Sequence, residues 1–259
     1  MSSARRNERR RRAASGLTRA GCLGLLALCA ASGLALATDA LRLTWMPDPA
    51  APSGPPAGWQ PLTFSRIPRH TQYRLVPDAG EFVVEARAQA SASGLIHRLQ
   101  EDPAARPLLR WRWKVENLLV KADVRRKRGD DYPARITITF AYDPKLASFG
   151  QRIRYETARL IYGEYPPHAG LSYIWEGKAA VGSVVANAYT DRVRMLVVES
   201  GAARLGQWLE YERDILQDYR TAFGAEPPLI SGVAIMTDAD DTGESALAYY
   251  GEISLHSRP

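Results

Sequence analysis

Cysteine is almost absent from this chain: its 259 residues include only Cys22 and Cys29, both within the first 37 residues. From Thr38 onward there is no thiol, which excludes disulfide bridges, cysteine nucleophiles and cysteine-ligated metal sites from that part. The four histidines are scattered, without the HExxH or HxH spacing of zinc sites, and no GxSxG, GxGxxG or P-loop motif occurs. The sequence therefore indicates a fold held together by its core and carries no recognisable catalytic motif.

An excess of charge is also missing after residue 37. The formal net charge of the whole chain is +6, but seven of the 34 basic residues and only one of the 28 acidic residues precede Thr38. The remainder carries 27 residues of each sign and has no net charge. Because nonspecific binding to nucleic acid depends on positive charge, we predict no nucleic-acid partner.

Residues 1–37 have the features of a signal peptide. An Arg-rich start precedes the apolar run Gly21–Ala37, whose end, Ala-Leu-Ala, suits signal peptidase. We predict cleavage near Ala37 and a mature protein that is periplasmic or secreted. A retained membrane anchor is the alternative, although a 17-residue run rich in Gly and Ala is short for a hydrocarbon core of ~30 Å. No membrane span is predicted in the mature chain.

The next segment, residues 38–61, is rich in proline. From Met46 to Pro61 it reads MPDPAAPSGPPAGWQP, a composition that excludes a helix or a central strand. We predict that it wraps around or tethers a single domain formed by residues 62–259.

Short stretches of that domain alternate apolar and polar side chains, which is typical of strands with one buried face. Four segments show the alternation clearly: Glu81–Arg87, Leu109–Val115, Ala134–Tyr142 and Asp191–Glu199. Two further apolar runs, Leu229–Thr237 and Ala246–Leu255, are predicted to be strands near the end of the chain. Short strands at this spacing predict about eight to ten antiparallel strands in a sandwich.

Two segments have helical spacing instead. The first contains Leu146, Phe149, Ile153, Leu160 and Ile161. The second contains Leu205, Trp208, Leu209, Ile215, Leu216, Tyr219 and Phe223, and Gly224 follows it. The predicted fold class is therefore mainly β: an antiparallel β-sandwich or jelly roll with two inserted helices.

The segment Met236–Ala246, MTDADDTGESA, contains a candidate calcium loop. Four of its residues occupy positions 1, 3, 5 and 6 of an EF-hand-type loop: Asp238, Asp240, Thr242 and Gly243. Position 12 is Tyr249, which cannot supply the bidentate carboxylate of that pattern. An acidic turn whose aspartates accept backbone N–H groups is the alternative. We name Asp238, Asp240 and Asp241 as candidate metal ligands and calcium as the candidate cofactor.

Polar side chains with ligand-binding chemistry lie on several predicted strands and loops. The basic loop Arg125–Arg128 precedes Asp131 and Arg135, and it is either a solvated turn or an anion-binding loop. The polar strand faces carry arginine and glutamate, which either hydrogen-bond a glycan or carboxylate or form cross-strand ion pairs. Five aromatic residues are candidate platforms for sugar rings: Tyr132, Tyr173, Trp175, Tyr249 and Tyr250. The predicted ligand-binding residues are Arg112, Asp131, Arg135, Arg192 and Tyr249.

Three blocks of sequence resemble a known family. They are GDDYPARITITF, then Glu199-Ser200-Gly201 with Trp208 and ERDILQDYRTAFG, and finally ISGVAIMTDADDTGESALAYYGEI. They are similar to the exported bacterial family called domain of unknown function 3047, over about Trp59 to Leu255. The resemblance implies a bacterial exported protein and carries no established activity. The order of elements is also similar to galactose-binding-like carbohydrate-binding modules. Where such modules hold calcium, an acidic loop near the last strand often takes part, and this resemblance implies Asp238, Asp240 and Asp241 as candidate ligands.

These observations favour one function and leave two alternatives. The leading hypothesis is an exported, non-catalytic β-sandwich protein that binds a glycan or another polar ligand in the cell envelope. The first alternative is a hydrolase of an envelope polysaccharide that uses an Asp/Glu pair. The second is a structural or assembly partner of other envelope proteins.

Overall fold

The computed structural model describes residues 40–259, except 146, 148, 163 and 164. The predicted signal peptide and its cleavage point therefore lie outside the described residues. Within the described part, no helix is both long and apolar enough to cross a membrane.

The described strands form two sheets. In sheet 1 the spatial order is β11 (Leu209–Asp214), β6 (Leu108–Val115), β13 (Ser245–His256), β4 (Glu81–Gln89) and β3 (Gln72–Asp78). A short strand, β1 (Ala40–Leu43), pairs with the second half of β13 beyond the end of β4. All pairs in this sheet are antiparallel.

Sheet 2 has seven strands. Their spatial order is β2 (Gln60–Leu62), β5 (Ala92–Glu101), β12 (Ile230–Asp238), β7 (Ala134–Phe140), β8 (Ala169–Glu176), β10 (Val193–Ser200) and β9 (Val184–Ala186). The pair β8–β10 is the parallel one among the described strands of this predominantly antiparallel sandwich. The remaining pairs are antiparallel.

The two sheets pack face to face around an aromatic core. Trp111 and Trp113 of β6 point inward, as the alternation predicts, and are almost completely buried. From the opposite sheet, Tyr173 lies 5.3 Å from Trp111 and Trp175 lies 6.5 Å from Trp113 between ring centroids. Large aromatic side chains bury much apolar surface and set the spacing of the layers. The predicted mainly-β sandwich is thus the observed architecture.

The described residues contain two α-helices in addition to the sheets. Helix α1 (Phe149–Tyr162) lies in the first predicted segment, although Leu146 and the side chains of Leu160 and Ile161 lie outside the described residues. Helix α2 (Ile215–Phe223) begins at an Asp214 cap that accepts from the Gln217 N–H, and it ends at Gly224 in the left-handed region.

The second helix begins later in the structure than the sequence predicts, at Ile215. Leu209–Asp214 is strand β11, with Leu209 buried and Glu210 exposed, and it pairs with β6 along the edge of sheet 1. The sequence LEYERD alternates with a period of two, so pairing with an open sheet edge overrides the apolar spacing that suggested a helix.

Candidate functional site

A cleft with a cavity volume of about 830 Å³ lies on the outer face of sheet 2. Its floor is formed by strands β12, β7, β8 and β10, and its walls by loops. The floor side chains are Arg135, Thr137, Thr139, Ser172, Val193, Ala234, Met236 and Asp238. The walls contribute residues 62–67 on one side and Asp130, Asn187, Tyr189, Asp240 and Asp241 on the other.

Alternation along β7 explains the chemistry of the floor. Ile136, Ile138 and Phe140 point into the core, so Arg135, Thr137 and Thr139 face outward. The Thr137 hydroxyl lies 2.7 Å from the Ser172 hydroxyl of β8, and the Thr139 hydroxyl lies 2.9 Å from that of Ser231 on the other side. The floor therefore carries a row of hydroxyl groups that donate and accept hydrogen bonds.

One wall is built by the chain between β6 and β7, which folds over the outer face of β8 and β10. Tyr132 and Val124 from this chain pack against Ile174 and Met195 of the sheet. The Tyr132 hydroxyl donates to the Asp130 carboxylate at 2.8 Å. This packing fixes the position of Asp130 at the edge of the cleft.

Arg135 and Asp238 form a buried ion pair in the floor. The Arg135 guanidinium donates to the Asp238 carboxylate at 2.6 Å, and it lies 5.0 Å from the centroid of the Tyr132 ring. Burial raises the pKa of Asp238 above its usual range, and the neighbouring guanidinium opposes that rise. The Arg135 Nε has no hydrogen-bond partner among the described residues.

A tyrosine from the opposite sheet supports this pair from below. The Tyr250 hydroxyl donates to the backbone carbonyl of Met236 at 2.6 Å and accepts from the Arg135 backbone N–H at 3.2 Å. Tyr250 is fully buried and crosses the space between the sheets. The floor at Arg135 and Met236 is therefore tied to sheet 1.

Asp131 organises the acidic loop after β12. Its carboxylate accepts from the backbone N–H of Thr242 at 2.6 Å and from that of Asp241 at 3.3 Å. Gly243 closes the turn with a φ of 70° and donates from its backbone N–H to the Ala239 carbonyl at 3.0 Å. Glycine adopts this left-handed conformation without strain.

Three carboxylates come close together beside that loop. Asp131, Asp238 and Asp240 each offer an oxygen, and these oxygens lie within 4.8 Å of one another. Asp241, the third predicted ligand, is not in this group, and Asp131 takes its place. Because the Asp238 carboxylate is already paired with Arg135, positive charge is present at the group without a metal ion. Calcium binding stays a prediction.

The side of the cleft next to these carboxylates carries Asp240, Asp241 and Tyr189. The Tyr189 hydroxyl lies 2.9 Å from both carboxylate oxygens of Asp241, and the residue as a whole is 58% exposed. Burial, together with the negative charges of Asp131 and Asp241, raises the pKa of Asp240 to about 6. This part of the cleft offers an exposed ring beside half-buried carboxylates.

Comparison with known proteins identifies the family. Residues 57–254 match the family model described as "Protein of unknown function (DUF3047)". The chain belongs to this family. The search of curated proteins found no match.

Solved structures similar to this DUF3047 protein include two carbohydrate-binding modules. The family 11 module of the cellulosomal cellulase Lic26A-Cel5E of Clostridium thermocellum is 8% identical, with a TM-score of 0.40, covering 84% of this chain and 95% of the module. The family 30 module of cellulase Cel9D-Cel44B of Clostridium thermocellum is 8% identical, with a TM-score of 0.35, covering 85% and 92%. Because both TM-scores are below 0.5, no residue of the site is assigned a role from these modules.

In the DUF3047 protein the five predicted ligand-binding residues do not form one site. Arg135 lines the cleft together with Asp238, whereas Asp131 is fully buried beside them and holds the acidic loop. Arg192 lies at one end of β10, where its guanidinium donates to the Tyr155 hydroxyl of α1 at 2.9 Å. Arg112 and Tyr249 belong to sheet 1 and face away from the cleft.

The outer face of sheet 1 is occupied by ion pairs. Arg112 donates to Asp78 at 3.3 Å, and its guanidinium lies 4.4 Å from the centroid of the Trp208 ring. The Tyr249 ring is covered by the Lys114 ammonium at 4.4 Å, and its hydroxyl donates to Glu85 at 3.2 Å. Cross-strand ion pairing, the second interpretation of these polar faces, describes this surface.

The exposed aromatic residue of the cleft, Tyr189, is not among the platforms that the sequence predicts. Tyr132, Tyr173, Trp175 and Tyr250, considered above as platforms, are all fully buried. Tyr249 and Tyr250, which are adjacent on β13, face opposite sides of sheet 1, and only Tyr250 is in the core. Tyr189 lies in the connection between β9 and β10, where no periodicity marks it.

Proposed function

We propose that the cleft on the outer face of sheet 2 binds a glycan, without catalysing a reaction on it. The observation that carries the proposal is the lining of the cleft: a floor with hydroxyl groups beside a wall that carries both carboxylates and an exposed tyrosine ring. Its volume of about 830 Å³ falls within the ~300–1,000 Å³ that small-molecule sites usually have.

The hydrogen-bonding groups suit a ligand made of hydroxyl groups. A sugar hydroxyl both donates and accepts, so a sugar needs both kinds of partner. The hydroxyls of Thr137 and Thr139 can likewise donate and accept, and the carboxylates of Asp240 and Asp241 accept. A phosphate or nucleic-acid backbone would instead meet carboxylates along this wall and be repelled.

Tyr189 supplies an apolar face. Its ring is more than half exposed although its hydroxyl is held by Asp241, so the ring orientation is fixed before any ligand arrives. The electron-rich face of an aromatic ring attracts the C–H groups on one face of a sugar. A ring that is already oriented costs little entropy when it binds.

Export to the periplasm or the outside of the cell is the second part of the proposal. Its support is the Arg-rich start and the apolar run of residues 1–37. The test is the N-terminal sequence of the protein isolated from the periplasmic or culture fraction. A start at Thr38 supports export, whereas an uncleaved chain recovered with the membrane contradicts it.

Isothermal titration calorimetry with five hexasaccharides tests glycan binding. The panel consists of the β-1,4 hexamers of glucose, xylose, N-acetylglucosamine and glucosamine, together with the hexamer of galacturonic acid. We expect at least one hexamer to bind and Tyr189→Ala to weaken it about tenfold, which is about 1.4 kcal/mol. Tyr249→Ala, on the other sheet, is the matched control and should bind normally. Equal binding by the Tyr189→Ala variant, or binding of no hexamer, contradicts the proposal.

The same samples distinguish the alternatives. Release of shorter sugars during incubation, lost in Asp240→Asn, would identify a hydrolase. Recovery of one stoichiometric protein partner by crosslinking, with no effect of any hexamer, would identify an assembly protein.

A further inference from the structure

The charges that line the cleft are strongly unequal. Four of its lining residues are aspartates: Asp130, Asp238, Asp240 and Asp241. The basic residues among the described lining are Arg135 in the floor and Arg66 on the far wall. Outside the lining, the Lys127 ammonium lies 5.6 Å from the centroid of the Tyr189 ring on the exposed basic loop. The wall that carries the aspartates is therefore rich in negative charge.

All but one of these carboxylates accept a hydrogen bond from another side chain. Asp238 is paired with Arg135, and Asp241 accepts from the Tyr189 hydroxyl. Asp130 accepts from the side-chain amide of Asn187 at 2.9 Å. No side chain in the described part of the chain donates to the Asp240 carboxylate, which is half-buried at the cleft.

Asp240 also lies between other negative groups. Its carboxylate shares the close group with Asp131 and Asp238 and is followed directly by Asp241. The guanidinium of Arg135 is the nearest buried positive charge, and it already bonds to Asp238. A half-buried carboxylate in such surroundings is stabilised most by a donor that carries positive charge.

We infer that the glycan bound in this cleft carries a free amino group, whose ammonium lies against Asp240. This inference rests on the proposed function and adds the class of sugar. An ammonium brings three donors and a positive charge to the one wall carboxylate without a side-chain donor. A sugar with an acetylated amine brings neither the charge nor the same donors, and a uronic acid adds repulsion. The Tyr189 ring and the hydroxyl floor hold the neutral part of the same sugar.

Two hexamers of the panel form a matched pair for this inference. The hexamers of glucosamine and N-acetylglucosamine have the same backbone and differ only in the acetyl group on nitrogen. Calorimetry near pH 7, above the pKa of about 6 of Asp240 and below the ~7.7 of an ordinary α-amino group, should show the glucosamine hexamer binding at least ~10-fold more tightly. Added salt should reduce this difference, because the interaction is between charges.

Two variants assign the difference to Asp240. Asp240→Asn should bring the two affinities to within about threefold, with little change for the acetylated hexamer. Asp78→Asn, which removes a carboxylate from the other sheet, controls for nonspecific attraction of a cationic sugar and should keep the full difference.

The outcomes separate this inference from the proposed function. If both hexamers bind equally and Tyr189→Ala still weakens both, the amine preference is wrong and the glycan-binding cleft stands. If the preference persists in Asp240→Asn, the assignment to this carboxylate is wrong. If neither these hexamers nor the other three bind, the proposed function fails with it.

Discussion

The Arg135 guanidinium and the Asp238 carboxylate are 2.6 Å apart in the floor of the cleft, and both side chains are almost completely buried. The two residues come from neighbouring strands, β7 and β12, whose register places Arg135 opposite Met236. The pair therefore joins the floor of the candidate site to the start of the acidic loop.

Breaking this pair should be costly. Removing one partner of a buried ion pair leaves an uncompensated charge, which lowers the free energy of unfolding by about 3–5 kcal/mol. We predict a loss of this size for Arg135→Met in urea denaturation. Arg110→Met is the control, because its partner Glu212 and Arg110 itself are about half exposed, and it should cost less than ~1 kcal/mol. Equal effects of the two substitutions would contradict this account of the floor.

The position of Asp240 should reduce stability at neutral pH. Its pKa is raised to about 6, above the ~3.9 of an unfolded chain, so the folded state binds the proton more tightly. Stability from this group is complete below about pH 4 and is lost as the pH rises through 6. Asp240→Asn should therefore raise the Tm near pH 7.5 by roughly 2–4 °C, the shift expected for about 1 kcal/mol once partial exposure is allowed for.

The same variant provides its own control. Near pH 4 the wild-type carboxyl is protonated and resembles the amide, so the two Tm values should coincide. Thermal melts in EDTA at both pH values measure the effect without interference from metal ions. A lower Tm for Asp240→Asn at neutral pH would show that the carboxylate is stabilised by a partner.

The Tyr250 hydroxyl should contribute more to the free energy of unfolding than the Tyr249 hydroxyl. Tyr250→Phe leaves the Met236 carbonyl and the Arg135 N–H without this partner in a buried place, which costs about 1–3 kcal/mol. Tyr249→Phe removes a hydroxyl that is only partly buried and should change the free energy of unfolding by less than ~0.5 kcal/mol. Chemical denaturation of both variants checks the difference, and a reversed order would contradict the role of Tyr250 between the sheets.

The calcium prediction has a direct test. A bound ion stabilises the folded state by mass action, so calcium should raise the Tm of the EDTA-treated protein in a concentration-dependent way. Asp240→Asn should abolish that rise if the ion is held by Asp131, Asp238 and Asp240. An unchanged Tm at millimolar calcium would remove calcium from the account and leave Arg135 as the counter-charge.

Periodicity predicted the strands that have one polar face. The alternation in β6 and β7 is clear in the sequence, and both strands lie where it predicts them. Strand β8 was missed because all eight of its residues are buried, so its sequence shows no alternation. The spacing of apolar residues predicts helix for β11, because its pairing with β6 is a tertiary contact that is not encoded in the local sequence pattern.

The candidate site was only partly predictable for a related reason. Asp131 and Arg135 are close together in the sequence, and Asp238 and Asp240 follow more than 100 residues later. Their meeting depends on the pairing of β7 with β12. Arg112 has the same residue type and strand alternation as Arg135, yet it lies on the other sheet. How the loops cover each polar face, and so where its clefts lie, is a tertiary property that the strand alternation does not contain.

Hydrogen–deuterium exchange of the purified protein, with and without each of the five hexasaccharides, tests the central claim most directly. The account predicts slower exchange at the walls and floor of the cleft, in residues 62–67, 187–193 and 238–243, for the hexamer that binds best. It predicts no change in the exchange rates of β6 or β13, which belong to sheet 1. Protection confined to β6 and β13, or no protection with any hexamer, would contradict a glycan-binding cleft on sheet 2.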